Sequence, residues 1–179
     1  MRLRGNDYRD SPRVNRTVAL LLSLMCVALS VHAAPAAKSL LDKPAPSFTR
    51  IDMNGNRVSP RAYRGKVILL NFWATWCIPC SLELPRFGEW QNHYGIEGLQ
   101  VIAVSMDDSP SPVRAFVRKL KPDFPVVMGD ARLGTRYGGI LGLPVTFLIA
   151  RDGRVSARIE GEANLPALES RIKELLAQP

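Results

Sequence analysis

Cysteine and histidine are scarce in this 179-residue chain, with three of one and two of the other. His32 lies near the N-terminus and His93 stands alone, so the closely spaced Cys77 and Cys80 lack the second ligand pair that a structural zinc site needs. The chain also lacks the run of about 20 apolar residues that a spanning helix requires. Its most apolar stretch, Val18 to Val31, falls short of that length. Internal repeats and low-complexity segments are absent. Basic residues give a net charge of +8, yet five arginines against two aspartates fall within residues 1–33, leaving 19 basic and 14 acidic residues, or +5, for the remainder. Those cations are scattered, with no basic stripe interleaved with aromatics, which argues against a nucleic-acid partner. A hydrophobic content of 46% is that of a globular chain.

What is present begins with a targeting pattern. A basic stretch ends at Arg16, the apolar run follows, and small residues occur at Ala33, Ala34, Ala36 and Ala37. This predicts a secretory signal over residues 1–33, cleaved after Ala33, with an uncleaved anchor as the alternative, and a periplasmic location. Cys26 stands in that segment behind bulky Met25, which does not suit lipid attachment. The exported chain then has two thiols. A structural disulfide stabilises by closing a long loop. Two intervening residues close almost none, so Cys77 and Cys80 read as a redox pair in an export compartment, and no cofactor beyond that dithiol is expected.

Residues 34–46, rich in Ala, Pro and Lys, read as a linker or extended arm, and residues 47–179 as one domain, with order expected from about Ser47. Asn54-Gly55 is a tight-turn dipeptide between Ser47–Asp52 and Asn56–Ser59, which predicts a small hairpin. Val67 to Ala74 (VILLNFWA) is a continuous apolar run of strand length, as in a central strand buried on both faces. A helix is expected to about Tyr94 and a second buried strand over Leu99–Met106. Ser109 is the expected cap of a helix through Lys121. Further on come a short strand at Phe124–Met128, a weak helix at Asp130–Tyr137 and a hairpin turning at Asp152-Gly153. A last helix capped by Asn164 runs to Ala177. Strands alternating with helices indicate an α/β sandwich with a central mixed sheet.

The nucleophile of disulfide exchange is a thiolate, and a free cysteine has a pKa of about 8.5. A strand that feeds straight into a helix puts Cys77 at the helix N-terminus, where unpaired N–H groups and the macrodipole stabilise an anion. Pro79 suits the first turn. Cys77 is therefore the expected attacking thiol, with Cys80, three residues on, resolving the mixed disulfide. Cys80, Glu83, Phe87, Trp90 and Tyr94 follow at three- and four-residue steps and share one face, which the aromatics define as inward. Glu83 is thus a carboxylate on an apolar stripe beside the resolving thiol, where desolvation raises its pKa. It is the candidate carrier of the Cys80 proton; the alternative is a first-turn carboxylate that complements the dipole and points partly to water. Trp73 is expected in the core and Trp76 at the rim, shaping the substrate surface.

The segment Asn71-Phe72-Trp73-Ala74-Thr75-Trp76-Cys77-Ile78-Pro79-Cys80 resembles the active site of the TlpA/ResA-like branch of thioredoxin-like proteins. The likeness extends to Tyr63-Arg64-Gly65-Lys66, to Pro85, and to Gly142-Leu143-Pro144-Val145-Thr146-Phe147-Leu148-Ile149. It implies a thioredoxin-like fold with a helix-strand insertion over Asp107–Met128. It also implies a cis Pro144 facing the cysteines, Leu143 and Pro144 holding substrate backbone, and Glu83 in the place of a branch glutamate. Asn71 stands where cytosolic thioredoxins carry a buried Asp. The branch implies a thiol:disulfide oxidoreductase that reduces exported proteins, apocytochrome c among them, with electrons from a membrane thiol donor. Cytochrome-maturation members often carry an acidic residue where this chain has Val145. Competing readings are a thiol peroxidase and a copper chaperone of the same fold; the latter wants a wider cysteine pair and a histidine near Pro144.

Overall fold

The computed structural model describes residues 39–178; the signal segment expected over residues 1–33 lies outside them. At the centre runs β3, Val67–Trp73, with every residue buried. Its alternation divides the core: Val67, Leu69 and Trp73 belong to one apolar cluster, Ile68, Leu70 and Phe72 to the other. An uninterrupted apolar run is what a strand covered on both faces requires. On the first face lie α1 (Ile78–Tyr94), α2 (Pro110–Leu120) and α4 (Leu165–Leu176). The second face carries α3 (Ala131–Arg136) with Phe48 and Val58.

The sheet has the order β5-β4-β3-β6-β7, with β4 (Leu99–Ser105), β5 (Val126–Met128), β6 (Val145–Ile149) and β7 (Val155–Glu160). β3, β4 and β5 are parallel, β6 is antiparallel to β3 and β7 antiparallel to β6, so β6 alone runs against the others and the sheet is mixed as expected. The hairpin at Asn54-Gly55 pairs β1 (Arg50–Ile51) with β2 (Arg57–Val58) as a separate ribbon. The Asp107–Met128 stretch contributes α2 and β5, the latter added to the outer edge of β4. Asp130 and Asn164 each accept a capping bond from the third residue on. Ser109 occupies the cap position of α2 without a side-chain bond.

One boundary differs from the expectation. The segment read as linker or extended arm is an arm bound to the domain well before Ser47: Asp42 N–H donates to Val155 O at 2.9 Å, Val155 N–H to Lys43 O at 2.9 Å and Ala45 N–H to Gly153 O at 2.9 Å. The physical reason is the exposed edge of β7, whose unpaired backbone groups accept an extended strap of almost any composition. A Pro/Ala-rich segment without hydrophobic periodicity gives no sign of that pairing.

The pole at the start of β3 is tied by Arg151. Its guanidinium donates to Gly65 O at 2.8 Å, Leu176 O at 3.0 Å, and Glu97 O and Gln178 O at 3.1 Å. One side chain thereby joins the β6–β7 turn, the start of β3, the α1–β4 loop and the end of α4. Arg151→Met leaves those carbonyls without a charged donor and is expected to lower unfolding stability by about 2–3 kcal/mol. Urea denaturation measures it; an unchanged midpoint contradicts the latch.

Candidate active site

The site lies at the carboxyl end of the parallel strands, where open α/β sheets collect their loops. Strand register brings four of them together. Trp73, the last residue of β3, pairs with Ser105, the last of β4. Phe72 pairs with Val145, the first residue of β6, and Val145 with Glu160, the last of β7. Residues 74–77, 106–109, 141–144 and 161–164 therefore meet at one end.

The chain leaves β3 through a turn closed by Cys77 N–H donating to Ala74 O at 3.1 Å. Cys77 is then the N-cap of α1, its sulfur accepting from Cys80 N–H at 3.4 Å, with Pro79 in the first turn. Cys77 and Cys80 are joined in a disulfide, their Cα atoms 5.3 Å apart. Both residues are buried, Cys77 5% exposed and Cys80 0%. Beside them Trp76, Ile78 and Leu82 are exposed, an apolar rim around the disulfide. Trp73 is wholly buried against Phe116.

Glu83 lies one helical turn below Cys80 and is 2% exposed. It does not point partly to water. Oε1 accepts the Ala163 N–H at 2.7 Å, from the loop between β7 and α4; Oε2 has no partner among the described residues. Burial holds its pKa above the ordinary carboxylate value, opposed by the Ala163 bond and aided by the nearby Glu162 charge. An anion raised in this way is a stronger base than a solvated carboxylate.

The Leu143–Pro144 peptide is cis. Pro144 is buried and Leu143 half-buried, and the Pro144 carbonyl accepts Gly161 N–H at 2.9 Å. Asn71 is fully buried, donating from Nδ2 to Thr146 Oγ1 at 2.9 Å across the β3–β6 pair. Every side chain singled out from the sequence, Trp76, Cys77, Cys80, Glu83, Leu143 and Pro144, thus stands at or beside one end of the sheet. His93 does not. It is exposed near the far end of α1, about 24 Å along the helix from Cys77 at 1.5 Å per residue.

Two features escaped the sequence reading. The Ala163 N–H that holds Glu83 is a backbone group, and no side-chain pattern announces it. Asp107, just past β4, reaches back to Thr75 immediately before Trp76 and Cys77. A loop residue without periodicity gave no signal beyond its place after a buried strand.

Among the described residues no helix is long and apolar enough to cross a membrane. Residues 41–158 match the AhpC/TSA family model. The chain is 34% identical over 138 residues to the thiol-disulfide oxidoreductase ResA of Bacillus thuringiensis, covering 77% of this chain and 80% of that one. It is 32% identical over 149 residues to ResA of Bacillus subtilis, covering 82% and 83%. A solved structure assigned as the thiol:disulfide interchange protein DsbE from Chlorobium tepidum superposes with a TM-score of 0.71 at 32% identity, covering 76% of this chain and 99% of that one. With its thioredoxin-like fold and this similarity, the chain belongs to the AhpC/TSA family, among the ResA-type thiol-disulfide oxidoreductases.

Proposed function

We propose that the chain is an exported reductase of protein disulfides that works through Cys77 and Cys80. The observation that carries the reading is a disulfide at a strand-to-helix junction with a buried, pKa-raised carboxylate on the next turn. In the reduced protein the Cys77 thiolate attacks one sulfur of a client disulfide; a mixed disulfide forms and the client's other sulfur leaves as a thiolate. Cys80 gives its proton to the Glu83 carboxylate and attacks Cys77, and the second client sulfur leaves. The client gains two electrons and two protons as a dithiol; the enzyme keeps the Cys77–Cys80 disulfide. A membrane thiol donor returns the electrons and protons.

The exposed Trp76, Ile78 and Leu82 give an unfolded or extended client an apolar seat, and the backbone around Leu143 and Pro144 borders it. Clients are exported proteins carrying disulfides, apocytochrome c among them. Val145 is buried as the first residue of β6, so no acidic side chain marks the rim there, which supports a general reductase over a heme-protein specialist. Export is supported by the basic, apolar and small-residue pattern of residues 1–37. Copper transport is disfavoured by the distance of His93 along α1, and peroxidase chemistry by a partner thiol only three residues away.

Insulin reduction by the pre-reduced chain is the test. Precipitation of the released B chain at a rate well above the dithiol background is expected. Peroxide consumption without insulin reduction, or stoichiometric Cu(I) binding without it, replaces this reading by a competitor.

A further inference from the structure

A second carboxylate is built into the site from the opposite side to Glu83. Asp107 is 7% exposed, and its carboxylate accepts three hydrogen bonds: from Thr75 N–H at 3.0 Å, Thr75 Oγ1–H at 2.5 Å and Ser105 Oγ–H at 2.8 Å. Its own N–H donates to Ser105 Oγ at 3.1 Å, and the neighbouring Met106 N–H to Trp73 O at 2.7 Å. The loop after β4 is thereby stitched to the turn that ends in Cys77. Burying a carboxylate is costly unless donors compensate, and here the backbone and hydroxyl of one active-site residue supply two of the three.

We propose that Asp107 is a positioning residue of the redox site, which fixes the Ala74–Trp76 turn through Thr75 and holds the Cys77–Cys80 couple reducing through its charge. The inference rests on reading Cys77 as the attacking thiol. The helix N-terminus favours the Cys77 thiolate. A negative charge anchored two residues away opposes it by Coulomb repulsion in a site sheltered from water. A less stable thiolate is a less stable reduced form, so the couple gives up its electrons more readily. The other carboxylates near the cysteines come from three places: Glu83 on α1, exposed Glu162 after β7 and exposed Asp108 beside Asp107. Of these Asp107 alone is bonded to the turn itself.

Two variants separate charge from anchoring. Asp107→Asn keeps the size and an acceptor for Thr75 N–H while removing the charge. In it the pH midpoint of Cys77 alkylation by iodoacetamide is expected to fall. The equilibrium with glutathione is expected to shift toward the dithiol by roughly threefold or more on loss of that charge. Thr75→Val removes the hydroxyl bond and keeps the charge; its kcat/KM for insulin is expected to drop while midpoint and equilibrium stay at the wild-type values. If Asp107→Asn does not fold, Asp107→Ser offers a hydroxyl to the same N–H and is expected to move both readouts in the same direction. A folded charge-free variant with wild-type midpoint and equilibrium overturns the proposal and leaves Asp107 a turn anchor only. Failure of the wild-type chain to reduce insulin overturns the redox reading instead, a result the alkylation midpoint does not depend on.

Discussion

Cys77→Ser is expected to bring insulin reduction down to the background rate while leaving the fold intact. The chemistry requires a thiolate, and a serine hydroxyl does not ionise near neutral pH, so no nucleophile remains at the helix N-cap. The fold survives for a local reason. Cys77 is the N-cap of α1, and serine is among the preferred residues there, its hydroxyl accepting the N–H bond that the sulfur now takes. The disulfide lost with the substitution spans a separation of three residues, and its contribution to stability through loop closure is small. Turbidimetry for activity and far-ultraviolet circular dichroism for the fold separate the two effects. A serine variant that still reduces insulin contradicts Cys77 as the attacking thiol.

Glu83→Gln is expected to divide activity from stability, in opposite directions. Glutamine retains an oxygen for Ala163 N–H and loses the ability to take a proton. Resolution of the mixed disulfide is then expected to slow on the order of a hundredfold, the usual scale for a positioned general base. In stopped-flow traces the intermediate accumulates. Stability responds through the raised pKa. Between the unfolded carboxylate value, near 4.5, and the higher folded value, the folded chain binds more protons than the unfolded one. Wild-type stability therefore falls as pH rises through that window, by the cost of ionising a buried carboxyl group. Glutamine carries no such cost. The variant's advantage in urea is expected to be absent below the window, to grow through it and to level off above the folded pKa. Equal resolution rates in both proteins contradict a proton-carrying role; a pH-independent stability difference contradicts the ionisation cost.

This pairing of lost activity with gained stability is how a functional site differs from a structural carboxylate. Much of it was legible in the sequence, because the stripe from Cys80 to Tyr94 has helical period and its aromatics declare the buried face. The strand at Val67–Trp73 was legible for a similar reason, since a continuous apolar run suits only a position covered on both sides. What the sequence left unreadable is carried by loops and backbone. The strap at Leu41–Ala45 pairs through main-chain groups that any residue except proline supplies in full. The Ala163 N–H reaches Glu83 across 80 positions of sequence, and Asp107 reaches Thr75 across 32, both set by the sheet's register and by no local pattern. Pro144 showed the reverse. Physics alone allowed a proline at a strand start, whereas family likeness supplied its place beside the cysteines.

Trapping the intermediate tests the central claim most directly. Cys80→Ser, reduced and mixed with a protein that carries one disulfide, is expected to stop at a covalent complex, because Cys77 has attacked and nothing resolves it. Peptide mapping by mass spectrometry should then find Cys77 joined to a client cysteine, and the reciprocal Cys77→Ser variant should form no such complex. A complex that forms through Cys80 in the Cys77→Ser variant, with none through Cys77, would contradict the assignment of attacking and resolving thiols on which the mechanism rests.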